Sequence, residues 1–182
     1  IDHIEGDITN FDNLNKSINE FNPDFIFHLA AQPLVKKSYL NPLETLNTNI
    51  MGSVNVLESV RNCDSVKALV YITSDKCYEN VEWIWGYKES DRLGVKDPYS
   101  ASKAATELLI CSHIKSFFPK DGKVRIASAR AGIVIGGCDW SQDRIIPDCV
   151  KAWSERKTVE LRKPYATRPW QHVLEPLSGY LR

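Results

Sequence analysis

Short apolar runs rich in β-branched residues alternate with longer amphipathic segments along most of the chain. Residues 11–21, FDNLNKSINEF, space their apolar side chains three and four positions apart, which predicts an amphipathic helix. Residues 25–30, FIFHLA, are continuously apolar, as is typical of a strand buried on both faces of a sheet. ALVYIT at 68–73 and IDHIEG at 1–6 predict two further strands.

Two longer segments carry the start signals of helices. Residues 41–63 begin with Asn41 as a candidate N-cap, Pro42 in the first turn and Glu44 three positions after the cap. Residues 97–118 begin with an Asp-Pro pair, which also favours a helix start. The sequence therefore predicts a long helix after each of two strands.

The alternation predicts an α/β fold with a doubly wound, Rossmann-like parallel sheet and helices on both of its faces. VRIASARAG at 124–132 predicts a further strand, and beyond Gly136-Gly137 the pattern breaks into shorter pieces. We therefore expect two parts, residues 1–135 and 136–182. Ligands bind such sheets outside the carboxyl ends of the strands.

The composition argues against several classes of protein. The 182 residues carry 23 Lys plus Arg and 23 Asp plus Glu, and this zero net charge argues against a partner that is a nucleic acid or a membrane surface. No apolar stretch is long enough to span a bilayer. The 5 cysteines and 4 histidines lack the spacing of zinc ligands, which favours reduced thiols, a cytoplasmic location and no metal site.

Candidate chemistry lies after the strand at 68–73 and on the helix that follows. Ser74, Asp75 and Lys76 come where the fold places ligands, and the next helix carries Tyr99 and, one turn later, Lys103. A tyrosine has a pKa of ~10 in water, and a cation about 4–6 Å away lowers it by roughly 1–3 units, which suits acid-base catalysis. Tyr-x-x-x-Lys alone occurs by chance on many helices, so its position after Ser-Asp-Lys is the stronger signal.

Several stretches of the sequence together resemble a known family. They include GDITN, FHLAAQPLV, TSDKCYEN, DPYSASKAATE and RPWQHVLEPLSGYL, which are spread from Gly6 to Leu181. The chain resembles the extended short-chain dehydrogenases/reductases that modify nucleotide sugars, and among them the 4,6-dehydratases of CDP-glucose. The resemblance implies NAD as cofactor, a CDP-sugar as substrate, a homodimer when full length, and a place in deoxysugar biosynthesis of the O-antigen type.

The resemblance also assigns residues to the NAD site. Family members contact the adenine at the positions of Asp7 and Ile8, and small residues after the next strand let the backbone approach the dinucleotide. Asn49 resembles an amide that supports the active-site helix. From the residues alone, a turn leading into a helix cap is favoured at Asp7 and Ile8. Tight packing between strand and helix also fits the small residues, and a satisfied polar group also fits Asn49. The implied NAD-binding residues are Asp7, Ile8, Leu29, Ala30, Ala31, Gln32, Asn49, Thr73, Tyr99 and Lys103.

By the same resemblance, residues 1–135 are a partial NAD-binding domain and residues 136–182 begin the part that binds the nucleotide sugar. The glycine-rich turn that seats a pyrophosphate is expected before Ile1, so the fold is expected to be incomplete at its N-terminus.

The implied substrate contacts lie near the end of the chain. Arg168 suits the diphosphate, because a guanidinium forks onto phosphate oxygens. Trp170 and His172 are expected near the sugar or the base, or else in the core. Ile133 and Cys138 depart from the family's pattern, which has an amide and a glycine there.

The implied reaction converts CDP-glucose to CDP-4-dehydro-6-deoxy-D-glucose by internal oxidation, loss of water and reduction. Tyr99 takes the proton of the 4-hydroxyl, Ser74 orients that hydroxyl, and Asp75 is the candidate acid for the departing 6-hydroxyl. Either Lys76 or Tyr99 removes the C5 proton. The candidate catalytic residues are Ser74, Asp75, Lys76, Tyr99 and Lys103.

Three different functions would also fit these residues. One is a 4-epimerase, against which the acid-base pair beside Ser74 argues, because that pair suits elimination. The second is a dehydratase that acts on another nucleotide sugar. The third is a catalytically silent binding module, or a fragment, that keeps the fold and lacks turnover.

The implied homodimer needs an exposed apolar surface on the two long helices. Val56 and Leu57 on the first helix, and Leu108 and Leu109 on the second, are the candidates. The alternative is that these side chains face only the sheet.

Overall fold

The computed structural model describes residues 1–94, 96–161 and 163–182. The chain forms two compact units, Ile1–Arg130 (unit 1) and Ala131–Arg182 (unit 2). In chain order, unit 1 contains α1 (Phe11–Phe21), β1 (Phe25–His28), α2 (Val35–Leu40), α3 (Pro42–Leu46), a π-helical turn (Asn47–Met51), α4 (Gly52–Arg61), β2 (Ala68–Ile72), a 3₁₀ turn (Asp75–Cys77), α5 (Pro98–Phe117) and β3 (Arg125–Ala129). Unit 2 contains β4 (Ile133–Ile135), α6 (Ile145–Ser154), β5 (Trp170–His172) and α7 (Leu174–Tyr180).

Unit 1 is built on a parallel sheet of three strands in the order β1-β2-β3. Helical segments connect consecutive strands, as parallel pairing requires. This arrangement confirms the predicted Rossmann-like α/β fold with a parallel sheet, although within the described chain helices do not cover both faces of the sheet. Because the strands run in one direction, the residues that follow β1 and β2 come out at the same edge of the sheet.

One face of the sheet of unit 1 is buried and the other is exposed. Leu69 and Tyr71 of β2 are 0% and 1% exposed, in a core that also contains Val56, Leu57, Val60, Cys63, Val66 and Ile110. Phe25 and Phe27 of β1 are 64% and 41% exposed. The prediction that FIFHLA is buried on both faces is therefore wrong for the described chain, in which no element covers these two rings.

The core also corrects the expected dimer surface. Val56 and Leu57 are 4% and 0% exposed and pack inside unit 1, so they offer no surface to a second copy. Leu108 on α5 is 62% exposed and Leu109 is half-buried. Of the four candidates, only the two on α5 reach the surface.

The strand predicted over residues 1–6 does not form. A strand is held by hydrogen bonds to a neighbouring strand, and among the described residues none pairs with this segment. Its apolar residues Ile1 and Ile4 are exposed. Regular structure begins at α1, where the side chain of Asn10 accepts a hydrogen bond from Asn13 N at 3.1 Å.

The two long predicted helices form, but the first starts differently. The side chain of Asn41 makes no capping hydrogen bond to the described backbone. Glu44 pairs instead with Lys37 Nζ, at 2.6 Å, so it is drawn away from the helix start. The second helix starts as predicted, because Asp97 Oδ1 accepts a hydrogen bond from Ser100 N at 2.9 Å and caps α5.

Unit 2 pairs β4 with β5 in parallel, with Ile133 opposite Trp170 and Ile135 opposite His172. This pairing places residues 133–135 in unit 2, so the boundary lies after Arg130 and not after residue 135 as predicted. None of the described residues of unit 2 is buried. Across the described parts of both units, no helix combines the length and the apolar character needed to cross a membrane.

Candidate active site

The candidate site of unit 1 lies where β1 and β2 end, against the first half of α5. Residues 29–32 follow β1, and residues 73–76 follow β2. Tyr99 and Lys103 lie in the first two turns of α5 and are only 8% and 7% exposed. The fold therefore brings together the predicted residues of the two strand ends and the helix.

Ser74 begins the turn that ends β2. Its Oγ accepts a hydrogen bond from Lys76 N at 3.2 Å and donates one to Asp75 Oδ1 at 3.0 Å. Asp75 is half-buried and Lys76 is exposed. A hydroxyl and a carboxylate are thus held side by side at the edge of the sheet, with an ammonium facing water beside them.

Lys103 is a buried cation at the end of β2. Its Nζ donates to Ile72 O at 3.3 Å. Burial lowers the pKa of Lys103 to about 8, and the negative charge of Glu107 opposes that shift. The side chain therefore changes its charge close to neutral pH. Tyr99, one turn earlier, is fixed through its backbone, because its N–H donates to Ser38 Oγ at 3.2 Å.

Asn49 fastens the loop after β1 to α5. Its Oδ1 accepts from Gln32 N at 2.7 Å, and its Nδ2 donates to Gln32 O at 3.1 Å and to Ser102 Oγ at 2.8 Å. Ser102 Oγ in turn donates to Tyr99 O at 2.7 Å. Asn49 lies in the π-helical turn, a feature frequent at functional sites. These bonds suit the predicted role of supporting the active-site helix.

The side chain of Gln32 is also engaged within the fold. Its Nε2 donates to Thr45 Oγ1 at 2.8 Å, and its Oε1 accepts from Leu34 N at 2.7 Å. The side chain of Gln32 therefore shapes the loop after β1. Its predicted place beside the dinucleotide is a prediction about the position of that loop. In that loop Leu29 is 57% exposed, Ala30 is exposed and Ala31 is half-buried.

The predicted adenine contacts lie in a turn that is anchored to α4. Thr9 N donates to Asp7 Oδ1 at 2.8 Å, and this bond lowers the pKa of the Asp7 carboxyl. Ile8 O accepts from Asn55 Nδ2 at 2.9 Å. Asp7 is exposed and Ile8 is half-buried. The turn leads directly into α1. The alternative role of these residues, a turn before a helix start that needs no ligand, therefore also fits.

Glu107 is a residue of the site that the sequence did not single out. It is 6% exposed and lies one helical turn after Lys103. Thr73 Oγ1 donates to its Oε1, and Arg130 donates to both carboxylate oxygens, with Nε at 3.0 Å and Nη2 at 2.9 Å. The spacing of four between Tyr99, Lys103 and Glu107 was the available signal, since it places all three on one face of α5.

His28 is the second such residue. It is 7% exposed, its Nε2 lies 3.1 Å from Ser53 Oγ, and its ring meets Tyr71 edge-on. Ser53 Oγ donates its own proton to Asn49 O at 2.7 Å, so the imidazole is the donor to Ser53. Burial, together with the charge of Lys103, lowers the pKa of His28 to about 4. The ring is therefore neutral at neutral pH.

The predicted substrate residues lie in unit 2. Trp170 and His172 are on β5 and are exposed, and His172 Nδ1 accepts from Leu174 N at 3.3 Å. Arg168 precedes the strand and is exposed. Trp170 and His172 therefore do not fill a core within unit 2. In neither unit do the described residues gather three or more His, Cys, Asp or Glu side chains that could hold a metal ion.

Residues 1–179 match the family model described as GDP-mannose 4,6 dehydratase. The chain belongs to this family. A curated relative, the CDP-glucose 4,6-dehydratase of Salmonella typhimurium strain LT2, is 52% identical over 98% of the chain. The chain spans about half the length of that relative, 51%.

Solved structures with the same fold include enzymes that act on nucleotide sugars. One is a double mutant of DesIV, a dTDP-glucose 4,6-dehydratase from Streptomyces venezuelae with NAD bound (TM-score 0.83, 24% identity, 97% of this chain and 52% of that chain). Another is the UDP-N-acetylglucosamine 4-epimerase of Methanobrevibacter ruminantium M1 (TM-score 0.81, 25% identity, 98% and 56%). Members of this fold therefore include both dehydratases and epimerases.

Proposed function

We propose that the protein containing this chain is an NAD-dependent 4,6-dehydratase that converts CDP-glucose to CDP-4-dehydro-6-deoxy-D-glucose. The observation that carries the proposal is the 52% identity, over 98% of the chain, to the CDP-glucose 4,6-dehydratase of Salmonella typhimurium. The site supports it, because Ser74 and Asp75 lie beside a helix that presents Tyr99 and Lys103.

The residues present fit a nicotinamide dinucleotide. The buried ammonium of Lys103 is a donor suited to a ribose hydroxyl, and Ala30 and Ala31 have short side chains that leave the backbone after β1 open to approach. The turn at Asp7 and Ile8 offers a carboxylate for an exocyclic amine. When bound, NAD supplies a hydride acceptor for the oxidation at C4 and a hydride donor for the reduction at C6.

Two residues of α5 serve the oxidation in this proposal. Tyr99 acts as a phenolate that takes the proton of the sugar 4-hydroxyl and becomes a neutral phenol, and the ammonium of Lys103, one turn later, stabilises the phenolate before that transfer. Ser74 orients the same hydroxyl. Because Tyr99 and Lys103 are buried, water competes little for either group.

The elimination is assigned to the turn after β2. The 4-ketone acidifies the C5 proton, which Lys76 or Tyr99 removes, while Asp75 protonates the departing 6-hydroxyl. The hydrogen bond from Ser74 Oγ holds the Asp75 carboxyl beside the group that orients the sugar. A site for oxidation alone has no use for this second acid.

The proposal is tested by turnover with a trace of NAD. The protein that contains these residues is incubated with CDP-glucose and substoichiometric NAD, and the keto product and NADH are followed together. We expect many turnovers for each NAD and no build-up of NADH. Stoichiometric NADH would indicate a simple dehydrogenase, and CDP-galactose as product would indicate a 4-epimerase.

The division of labour is tested by two substitutions. Tyr99→Phe should abolish oxidation at C4, whereas Asp75→Asn should leave that step intact and slow the loss of water by ~10²–10⁴. The two steps are separated by the exchange of the C5 hydrogen with solvent deuterium, which requires the 4-ketone. Tyr99→Phe should lose this exchange, and Asp75→Asn should keep it. Tyr39→Phe and Asp24→Asn are matched controls, because Tyr39 is exposed and Asp24 pairs with Lys67 on the surface. Equal loss of C4 oxidation in both site variants would refute the assignment.

We further propose that the protein is a cytoplasmic homodimer, that unit 1 binds NAD, and that Arg168, Trp170 and His172 of unit 2 bind the CDP-sugar. Leu108 is the apolar side chain that α5 offers to a second copy. Light scattering at micromolar concentration tests the dimer, which Leu108→Glu should dissociate. Arg168→Ala should raise KM for CDP-glucose without changing the binding of NAD.

A further inference from the structure

Glu107 has all of its acceptor capacity engaged inside unit 1. Its Oε1 accepts from Thr73 Oγ1 and from Arg130 Nε at 3.0 Å, and its Oε2 accepts from Ser128 Oγ at 2.9 Å and Arg130 Nη2 at 2.9 Å. An ionised carboxylate has about four acceptor positions. Glu107 is therefore fixed by residues that follow β2 and lie on or just after β3, and no direct ion pair with Lys103 is needed to hold it.

Arg130 is itself held in place. Its guanidinium lies 4.8 Å above the ring of Tyr78, and its Nη1 donates to Glu89 O at 3.2 Å. The hydrogen bonds of Arg130, Thr73 and Ser128 outweigh the burial of Glu107, so the pKa of that carboxyl is lowered and it stays ionised. A fixed negative charge thus lies one helical turn from the buried ammonium of Lys103.

Among the described groups around Lys103, Glu107 is the one whose charge raises the pKa of the lysine against its burial. From β1, His28 is buried and neutral at neutral pH, with a pKa of about 4. From beyond β3, Arg130 is positive and paired with Glu107. After β2, Asp75 is a second carboxyl, which is half-buried and accepts a hydrogen bond from Ser74, and Lys76 is exposed. The neighbour on the same helix, Tyr99, carries a phenol group.

We propose that Glu107, clamped by Arg130, Thr73 and Ser128, is a positioning residue that keeps the buried side chain of Lys103 charged without pairing with it directly. The ammonium then remains available for the phenol and the cofactor. The effect on turnover rests on the dehydratase function proposed above, but the effect on Lys103 does not. Burial drives Lys103 towards neutrality, and Glu107 is the group that opposes it.

The direct test measures the charge of Lys103. Lysine side chains are labelled with ¹³C at Cε in the protein that contains this chain, and the Lys103 signal is assigned by its absence in Lys103→Arg. In Glu107→Gln we expect the pKa of Lys103 to fall by about 1 unit, the lower end of what one opposite charge contributes. An unchanged pKa overturns the proposal.

Catalysis provides a second readout. Lys103 loses its proton as pH rises, so the alkaline limb of kcat/KM should move to lower pH in Glu107→Gln by the same interval. A loss of activity that is equal at every pH, with the limb unmoved, would show a merely structural role. If the wild-type protein has no dehydratase activity, the proposed function fails while the titration still decides the role of Glu107.

Three further variants serve as controls for this test. Glu107→Asp keeps the charge and should restore the pKa of Lys103 towards the wild-type value. Glu107→Gln combined with Arg130→Met removes both buried charges, which proteins tolerate better than the loss of one partner, and should also lower that pKa. Glu58→Gln removes a half-buried carboxylate that pairs with Arg61 on α4, and it should leave the pKa of Lys103 unchanged. The same fall in Glu58→Gln would contradict the proposal.

Discussion

Units 1 and 2 differ in whether they bury any large apolar side chains completely. In unit 1, Leu57 and Leu69 are completely buried and Tyr71 is 1% exposed. In unit 2, Trp153 and Leu174 are 66% and 65% exposed, and the described residues include no buried side chain. Unit 1 therefore has a core of its own, whereas the described apolar side chains of unit 2 are half-buried or exposed.

The difference shows where a protein can accommodate buried polar groups. A buried charge or amide costs free energy unless it is fully hydrogen-bonded, and a packed core supplies both the compensating stability and the fixed partners. Unit 1 buries Asn49, Lys103 and Glu107, each with described hydrogen bonds. Unit 2 keeps Arg168 and His172 exposed, where water solvates them.

The largest expected contrast lies between two ion pairs of the same type. Arg130–Glu107 in unit 1 has side chains 16% and 6% exposed, and Arg144–Asp139 in unit 2 has side chains 40% and 33% exposed. Arg130→Met leaves a buried carboxylate unpaired and should cost about 3–5 kcal/mol of unfolding free energy. Arg144→Met should cost about 1 kcal/mol or less. Urea unfolding measures both, and equal losses would end the contrast.

A core leucine and a surface leucine give the next contrast. Leu57→Ala on α4 removes completely buried methyl groups and should cost about 3 kcal/mol. Leu174→Ala on α7 removes side-chain surface that is 65% exposed and should change stability by about 0.5 kcal/mol. Thermal unfolding of the two variants checks this. A large loss for Leu174→Ala would mean that α7 is covered in the whole protein.

The periodicity predicted most of unit 1 because its signals are local. The spacing in FDNLNKSINEF, the cap at Asp97 and the apolar run before Thr73 each depend on neighbours within a few positions, and each element forms. The strand over residues 1–6 and the burial of FIFHLA depended on neighbouring elements that the described chain does not provide. Sequence patterns show which side chains are apolar enough to be buried, but they do not show whether a neighbouring element is present to bury them.

The site was predicted in part for the same reason. Ser74, Tyr99 and Lys103 belong to short motifs, so the sequence identified them, and the structure places them at one edge of the sheet. Glu107 depends on partners that lie 21–34 positions away in the sequence, namely Ser128, Arg130 and Thr73. His28 depends on Ser53, which lies 25 positions away. No short sequence motif contains such contacts. The spacing from Lys103 to Glu107 was visible, but many helices place a glutamate one turn after a lysine for solubility.

The smallest expected effect concerns His28 and is confined to a window of pH. Its pKa is lowered from 6.5 to about 4 in the folded protein, so between these values the unfolded chain binds more protons than the folded one. Stability is therefore complete above pH 6.5 and is lost as pH falls towards 4, by about 1–2 kcal/mol between pH 7 and pH 5. His28→Gln keeps a side-chain N–H that can donate to Ser53 but cannot take up the proton. Between pH 7 and pH 5, the unfolding free energy of His28→Gln should therefore fall by about 1–2 kcal/mol less than that of the wild-type protein. If both proteins show the same pH dependence, protonation of His28 does not limit the stability of unit 1.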